Sequence, residues 1–278
     1  MKCDIMNGRL IVFFISLIFS SVVYAFKIDT ISVYSTCMDR NLNVLVVSPE
    51  KAKLSECPVL FLLHGYGGNE ETWLKINPKI PEMSDRDGII VVCPNGEKSW
   101  YWDSPINPDS QFETYIIKEL LPYIDSNYNT IKKRNARAIT GLSMGGHGAL
   151  WLSLRHKDLF GAAGSTSGGV DIRPFPDNWD MKQQIGNKNE NPSRWDKYTV
   201  INQLDSINNA DLSIIFDCGT DDFFFDVNNN LHSELLKRNI DHDYIVRPGS
   251  HNNNYWCNSI EYQWLYFCKF FKGYRFIR

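Results

Sequence analysis

The sequence predicts an α/β fold: a mostly parallel central sheet, an antiparallel hairpin at its N-terminal side, and helices on both faces. Three observations carry this expectation. Short, continuously apolar runs such as Val59–Leu63 (VLFLL) and Ile89–Cys93 (IIVVC) read as strands buried on both faces. Such runs alternate with stretches of helical spacing, the pattern of strand–helix–strand units. The composition, 43% hydrophobic and 22% charged over 278 residues, supports a sizeable core.

The elements follow in order. Lys2 and Arg9 give a weakly basic start, and Leu10–Val23 is apolar but short for a bilayer span and broken by three serines. Val23 and Ala25 place small residues at −3 and −1 of a cleavage point. Residues 1–25 are therefore expected to be a cleaved secretory signal peptide, with the protein secreted or periplasmic and without stable membrane insertion. Residues 26–278 then form a single domain. Thr30–Thr36 and Asn43–Val47 read as a hairpin, followed by the strand Val59–Leu63 and the loop His64-Gly65-Tyr66-Gly67-Gly68. Strand Ile89–Cys93 stops at Pro94-Asn95-Gly96. Phe112–Tyr123 has helical spacing, Ala136–Thr140 is strand-like and Gly146–His156 helix-like. Strands at Ala162–Ser165, Ser213–Asp217 and Asp243–Val246 and helices at Leu231–Arg238 and Ile260–Phe271 complete the pattern. Gly168–Ala210 breaks it, being polar, carrying three prolines, and longer than a plain crossover needs. Two readings stay open for it: an irregular surface crossover, or a cap beside an active site.

Charge and cysteine usage exclude some functions. A formal net charge of −3 without a long single-sign run argues against nucleic acid as a partner. Past the leader, the cysteines are Cys37, Cys57, Cys93, Cys218, Cys257 and Cys268. Cys93 and Cys218 end apolar strands, and Cys257 and Cys268 lie about 16 Å apart along one helix, beyond disulfide reach. Mostly free, buried thiols are expected, with one bridge at most. The chain has no C-x-x-C, H-E-x-x-H or phosphate-loop pattern, so no metal and no cofactor is expected.

Chemistry concentrates at Gly141-Leu142-Ser143-Met144-Gly145, a G-x-S-x-G between a strand and a helix. In that setting the serine sits on a sharp turn at a helix N-terminus, with glycines where a Cβ would collide. Serine needs a base, a carboxylate to orient the base, and donors for the oxyanion. In this order of elements the acid and then the histidine follow the serine. His251 lies just after the last strand, at the edge where sites collect. His64 precedes the serine, His147 lies one turn down its own helix, and His156 ends that helix, capping carbonyls. His232 and His242 flank the helix before the last strand. Asp222, after strand Ser213–Asp217, is preferred as acid over Asp221, with Asp226 third. Backbone N–H groups of Met144 and Tyr66 are the expected oxyanion donors.

These pieces resemble the esterase D-like α/β hydrolases, which include S-formylglutathione hydrolases, mycolyltransferases, and acetyl xylan and feruloyl esterases. The resemblance rests on LLHGYGGNEETW (62–73), SWYWDSP (99–105), YIDSNYNTI (123–131), ITGLSMGGHGALWLSLRHKDLF (139–160), DCGTDDFF (217–224) and PGSHNNNYW (248–256). It implies an α/β-hydrolase fold with Ser143 as nucleophile, Asp222 as acid, His251 as base, and Tyr66 and Met144 as oxyanion donors. One departure is Asn252-Asn253-Asn254 after the histidine, where relatives often carry Asp-Trp. The expected activity is that of a secreted serine esterase releasing acetyl or hydroxycinnamoyl groups from a small-molecule or polysaccharide ester. Trp100, Tyr101, Trp102 and Trp256 are expected to stack on substrate rings. Acyl transfer to a sugar, thioester hydrolysis and non-catalytic carbohydrate binding are the alternatives.

Overall fold

The computed structural model describes residues 25–274, so the expected signal peptide lies outside the described residues apart from Ala25. One sheet of eight strands runs through it: β1 (Lys27–Ser35), β2 (Arg40–Ser48), β3 (Val59–Leu63), β4 (Ile90–Pro94), β5 (Arg137–Gly141), β6 (Ala162–Thr166), β7 (Ser213–Gly219) and β8 (His242–Arg247). Their spatial order is β1-β2-β4-β3-β5-β6-β7-β8. The β1–β2 hairpin is antiparallel and β2 meets β4 antiparallel; every later pairing, from β4–β3 to β7–β8, is parallel. The expected fold class is thus the observed one.

The period of two sorts the strand side chains into two cores. Val59, Phe61 and Leu63 of β3 face one, with Ile90 and Val92 of β4 and Val44 and Val46 of β2. Leu60 and Leu62, Val91 and Cys93, and Leu45 and Val47 face the other. A strand apolar at every position is what a sheet covered on both sides requires.

The helices that cover it are α1 (Thr72–Ile76), α2 (Ile80–Asp87), α3 (Phe112–Thr114), α4 (Leu121–Asn127), α5 (Met144–Arg155), α6 (Met181–Ile185), α7 (Pro192–Lys197), α8 (Phe225–Lys237) and α9 (Asn253–Phe271). α5 packs across β5 and β6 on the first face, while α9 lies on β6 and β7 on the second. The helix expected at Phe112–Tyr123 is interrupted: α3 passes through one wide turn, Tyr115–Leu120, into α4. Pro122 has no N–H for the carbonyl a turn earlier, so the hydrogen-bond ladder is reset there. Two helices start earlier than the sequence suggests. Asn252 caps α9 by accepting from the Tyr255 N–H at 3.0 Å. α8 takes in the asparagines 228–230, and buried Asn228 donates to the Gly168 and Phe224 carbonyls at 2.9 Å each.

The Gly168–Ala210 segment is anchored rather than loose. Val170, Ile172, Met181, Ile185, Trp195 and Val200 all enter the first core. The six cysteines of the described residues are free thiols. No helix among them is long and apolar enough to cross a membrane.

Candidate active site

β3 is the point where strand order reverses, since the chain moves from it to β4 on one side and later to β5 on the other. Crevices form outside the carboxyl ends of strands at such a point. The loops after β3, β5, β7 and β8 carry Tyr66, Ser143, Asp222 and His251 respectively.

The serine turn is tight and its backbone unusual. Ser143 has φ 55° and ψ −117°, a conformation that L-residues hold only under constraint. Its N–H donates to the Thr166 carbonyl at 3.0 Å, and its own carbonyl accepts from the His147 N–H at 3.0 Å. A Cβ at Gly145 would lie 2.2 Å from the Leu63 carbonyl oxygen, and one at Gly141 2.4 Å from the Gly145 backbone. Only glycine lets strand and helix approach this closely.

The partners converge on the serine. His251 Nε2 lies 2.9 Å from Ser143 Oγ, and His251 Nδ1 lies 2.8 Å from Asp222 Oδ2. A carboxylate only accepts, so Nδ1 carries the proton and donates it. Nε2 is then the acceptor facing the serine hydroxyl. The Asp222 carboxylate is buried, and its second oxygen accepts from the Phe224 N–H at 2.8 Å. Asp221 is exposed and its N–H is tied to the Gly249 carbonyl, while Asp226 sits exposed in the first turn of α8.

The oxyanion loop comes from β3. A Cβ at Gly65 would stand 3.3 Å from Ser143 Cβ, so this backbone lies directly against the serine, with Tyr66 next in the chain. Met144 opens α5, where a helix leaves its N–H groups without intrahelical partners. His64 is locked beneath: its Nδ1–H donates to the Gly65 carbonyl at 2.7 Å and its Nε2 accepts from the Gly96 N–H at 2.8 Å. Burial pushes His64 down to about 4.

Trp100, Tyr101 and Trp102 are not substrate platforms. Each is at most 1% exposed, so none offers a ring face to a ligand. They build the floor instead. The Tyr101 hydroxyl donates to the His64 carbonyl at 3.1 Å, and Trp100 and Trp102 stack with centroids 5.5 Å apart. Trp102 Nε1–H donates to His147 Nε2 at 2.8 Å, which leaves His147 Nδ1–H to donate to the Gly169 carbonyl at 2.8 Å. Burial holds His147 down at about 4. His147 is thus a neutral strut of the turn. His156 pairs with Glu113 at 2.7 Å instead of capping carbonyls. Trp256, the fourth aromatic, stays partly exposed and stands edge-on to the His251 ring, 4.9 Å between centroids.

Several residues at the site were invisible to sequence reasoning. Phe223 lies 4.2 Å from the His251 ring, and Trp179 of the Gly168–Ala210 segment stacks on Phe223 at 5.4 Å. The next residue, Asp180, accepts from the Tyr66 hydroxyl and lies 3.4 Å from Lys98 Nζ. The Tyr66 hydroxyl, with Lys98, holds the Asp180 carboxyl below its ordinary range. Trp179 and Asp180 both take left-handed backbone, φ 49° and 54°. The run Phe223-Phe224-Phe225 after an acid was one signal available, and the cap reading of Gly168–Ala210, which contains Trp179, was the other; neither pointed to Asp180. Asp217, buried in β7, accepts from Thr166, Ser259 and Gln263 and joins β6, β7 and α9. Burial raises its carboxyl despite these bonds.

A strained serine, an imidazole bridging it to a buried carboxylate, and their place at the carboxyl edge of such a sheet define a serine carboxylic-ester hydrolase. The chain belongs to the Esterase family, whose model, described as "Putative esterase", matches residues 35–264. An acetyl esterase of Caldicellulosiruptor saccharolyticus is 28% identical over 264 residues, covering 84% of this chain and 96% of that protein. A ferulic acid esterase structure superposes with a TM-score of 0.74 at 26% identity, covering 90% of this chain and all (100%) of the other. A fluorophosphonate-binding serine hydrolase of Staphylococcus aureus, FphF, shares the fold with a TM-score of 0.79 at 22% identity, over 88% of this chain and 98% of its own.

Proposed function

We propose that this enzyme hydrolyses acyl esters of carbohydrate, with acetyl or hydroxycinnamoyl as the acyl group, through a Ser143–His251–Asp222 acyl-enzyme mechanism. The observation that carries the mechanism is the unbroken hydrogen-bond chain from Ser143 Oγ through the imidazole to Asp222. Ser143 Oγ attacks the carbonyl carbon while His251 Nε2 takes its proton. The carbonyl oxygen becomes an oxyanion held by the Met144 and Tyr66 N–H groups. Collapse breaks the bond to the alcohol, which leaves with the proton from His251. Water then attacks the acyl-enzyme, gives a proton to His251, and the acid departs as that proton returns to Ser143. Asp222 stabilises the imidazolium throughout without taking its proton. No step requires a metal or cofactor.

The carbohydrate ester reading draws on the acetyl esterase and ferulic acid esterase likenesses. We also propose export, which rests on the basic, apolar and small-residue pattern of residues 1–25; an N-terminal sequence starting at Phe26 in the exported protein would support it. The test of function is hydrolysis of 4-nitrophenyl acetate, methyl ferulate, acetylated xylan and S-formylglutathione by wild type beside Ser143→Ala. Serine-dependent turnover of ferulate or xylan acetate is expected, with Ser143→Ala lowering it by about 10⁴-fold or more. Turnover of the thioester alone would replace the carbohydrate reading with thioester hydrolysis. Equal activity in the variant would overturn the mechanism.

A further inference from the structure

We propose that Phe223 and Trp179 form the wall against which the leaving alcohol packs, and that this wall selects alcohols that are polyhydroxylated rings over simple alkanols. The inference rests on the ester-hydrolase reading above and concerns the alcohol side of that same site.

The argument begins with a proton. His251 Nε2 must deliver it to the departing alcohol oxygen, which therefore sits about 3 Å from Nε2 in the reacting complex. Groups packed against the imidazole consequently flank the alcohol, whereas the carbonyl oxygen is held across the serine by the Gly65–Tyr66 loop and Met144. Three aromatic rings meet the imidazole: Phe223, Trp256 and the buried Phe224, whose centroid lies 5.5 Å away. Phe223 lies 4.2 Å from the imidazole and remains 49% exposed, Trp256 stands edge-on at 4.9 Å, and Trp179 backs Phe223 at 5.4 Å with the planes 25° apart. One exposed phenylalanine is ordinary on a protein surface. This one packs against the catalytic base, its plane tilted 36° to the imidazole, and its backing is fixed: Trp100 Nε1–H donates to the Trp179 carbonyl at 3.1 Å, and Asp180 is tied to Tyr66 and Lys98.

Exposed amides follow the base directly. Asn253 and Asn254 are exposed in the first turn of α9, two and three residues after His251. Aromatic surface on the base, with exposed amides two and three residues along the chain from it, suits a sugar ring, which has an apolar C–H face and a rim of hydroxyls. A short alkanol uses neither.

The test varies alcohol and acyl group independently. Ethyl acetate, a monoacetylated methyl xylopyranoside and ethyl butyrate are assayed with wild type, Phe223→Ala, Phe223→Leu, Trp179→Ala and Trp179→Phe. For Phe223→Ala and Trp179→Ala, kcat/KM on the sugar acetate is expected to fall about tenfold further than on ethyl acetate. Trp179→Phe should recover most of that difference, and Phe223→Leu, which keeps apolar bulk without the ring, should not. Thermal melts accompany every variant, and Phe223→Leu carries the comparison if Phe223→Ala fails to fold. Equal losses on the two acetates, or losses that follow acetyl against butyryl, would overturn the proposal. So would a wild type that cleaves ethyl acetate and leaves the sugar acetate intact, while the hydrolase reading would survive. Absence of Ser143-dependent turnover on all three esters and on methyl ferulate would overturn both.

Discussion

Single residues in this site owe their chemistry to how completely they are desolvated. His64 and His147 are buried and neutral, both pushed down to about 4, against about 6.5 in an unfolded chain. The unfolded chain thus binds protons that the folded one refuses. Their stabilising effect is complete above about pH 6.5 and is lost as pH falls from there toward 4, by up to about 3 kcal/mol for each histidine. Melting temperature should fall across that window, and His147→Gln should flatten the fall; an unchanged slope would contradict the burial argument. Asp217→Asn should be destabilising by about 2 kcal/mol, because its amide would confront donors from Ser259, Thr166 and Gln263 that now share one carboxylate. Chemical denaturation of the variant measures this. At this scale the sequence was informative where the chemistry is local. The G-x-S-x-G turn and the position of His251 after the last strand were legible, as was Asp222 over Asp221. Trp100, Tyr101 and Trp102 misled, because an aromatic cluster near a strand end looks the same whether it lines a cleft or floors it.

Elements were legible in proportion to their apolar continuity. β3 and β4 declare themselves because every position is buried. The start of α8 did not, since its asparagines are poor helix formers and Asn228 earns its place through bonds to Gly168 and Phe224 that no local pattern encodes. The wide turn between α3 and α4 was equally hidden, because it answers to Pro122 and to packing together. The turn from β5 into α5 makes a sharp prediction. Gly145→Ala would drive a methyl to 2.2 Å from the Leu63 carbonyl oxygen. It should be destabilising by about 3 kcal/mol and depress turnover even where the protein stays folded, because the Ser143 backbone and the oxyanion loop meet there. A Gly145→Ala protein with wild-type melting and kcat would show that the strand and helix can separate at no cost.

At the scale of the whole molecule, the described residues draw their stability from two cores divided by the sheet, with no disulfide among them. The six described cysteines are free, and burial raises the Cys93 and Cys218 thiols well above their ordinary range. Dithiothreitol should leave the melting temperature unchanged, and thiol reagents should reach Cys93 and Cys218 only in denaturant; a drop in melting temperature on reduction would reveal a disulfide. Fold class was readable from alternation, but the choice between a surface crossover and a cap beside the site for Gly168–Ala210 was not, since it depends on contacts between residues far apart in sequence. Trp179 and Asp180 show what that closeness entails. These two neighbours reach opposite banks of the cleft, one through Phe223 toward the base and the other through Tyr66 toward the oxyanion loop. A single inserted or deleted residue beside them would shift both banks at once. Diversification of this enzyme's ester preference is therefore easier by point substitution at fixed segment length than by changes in loop length, which would trade selectivity against turnover in one stroke.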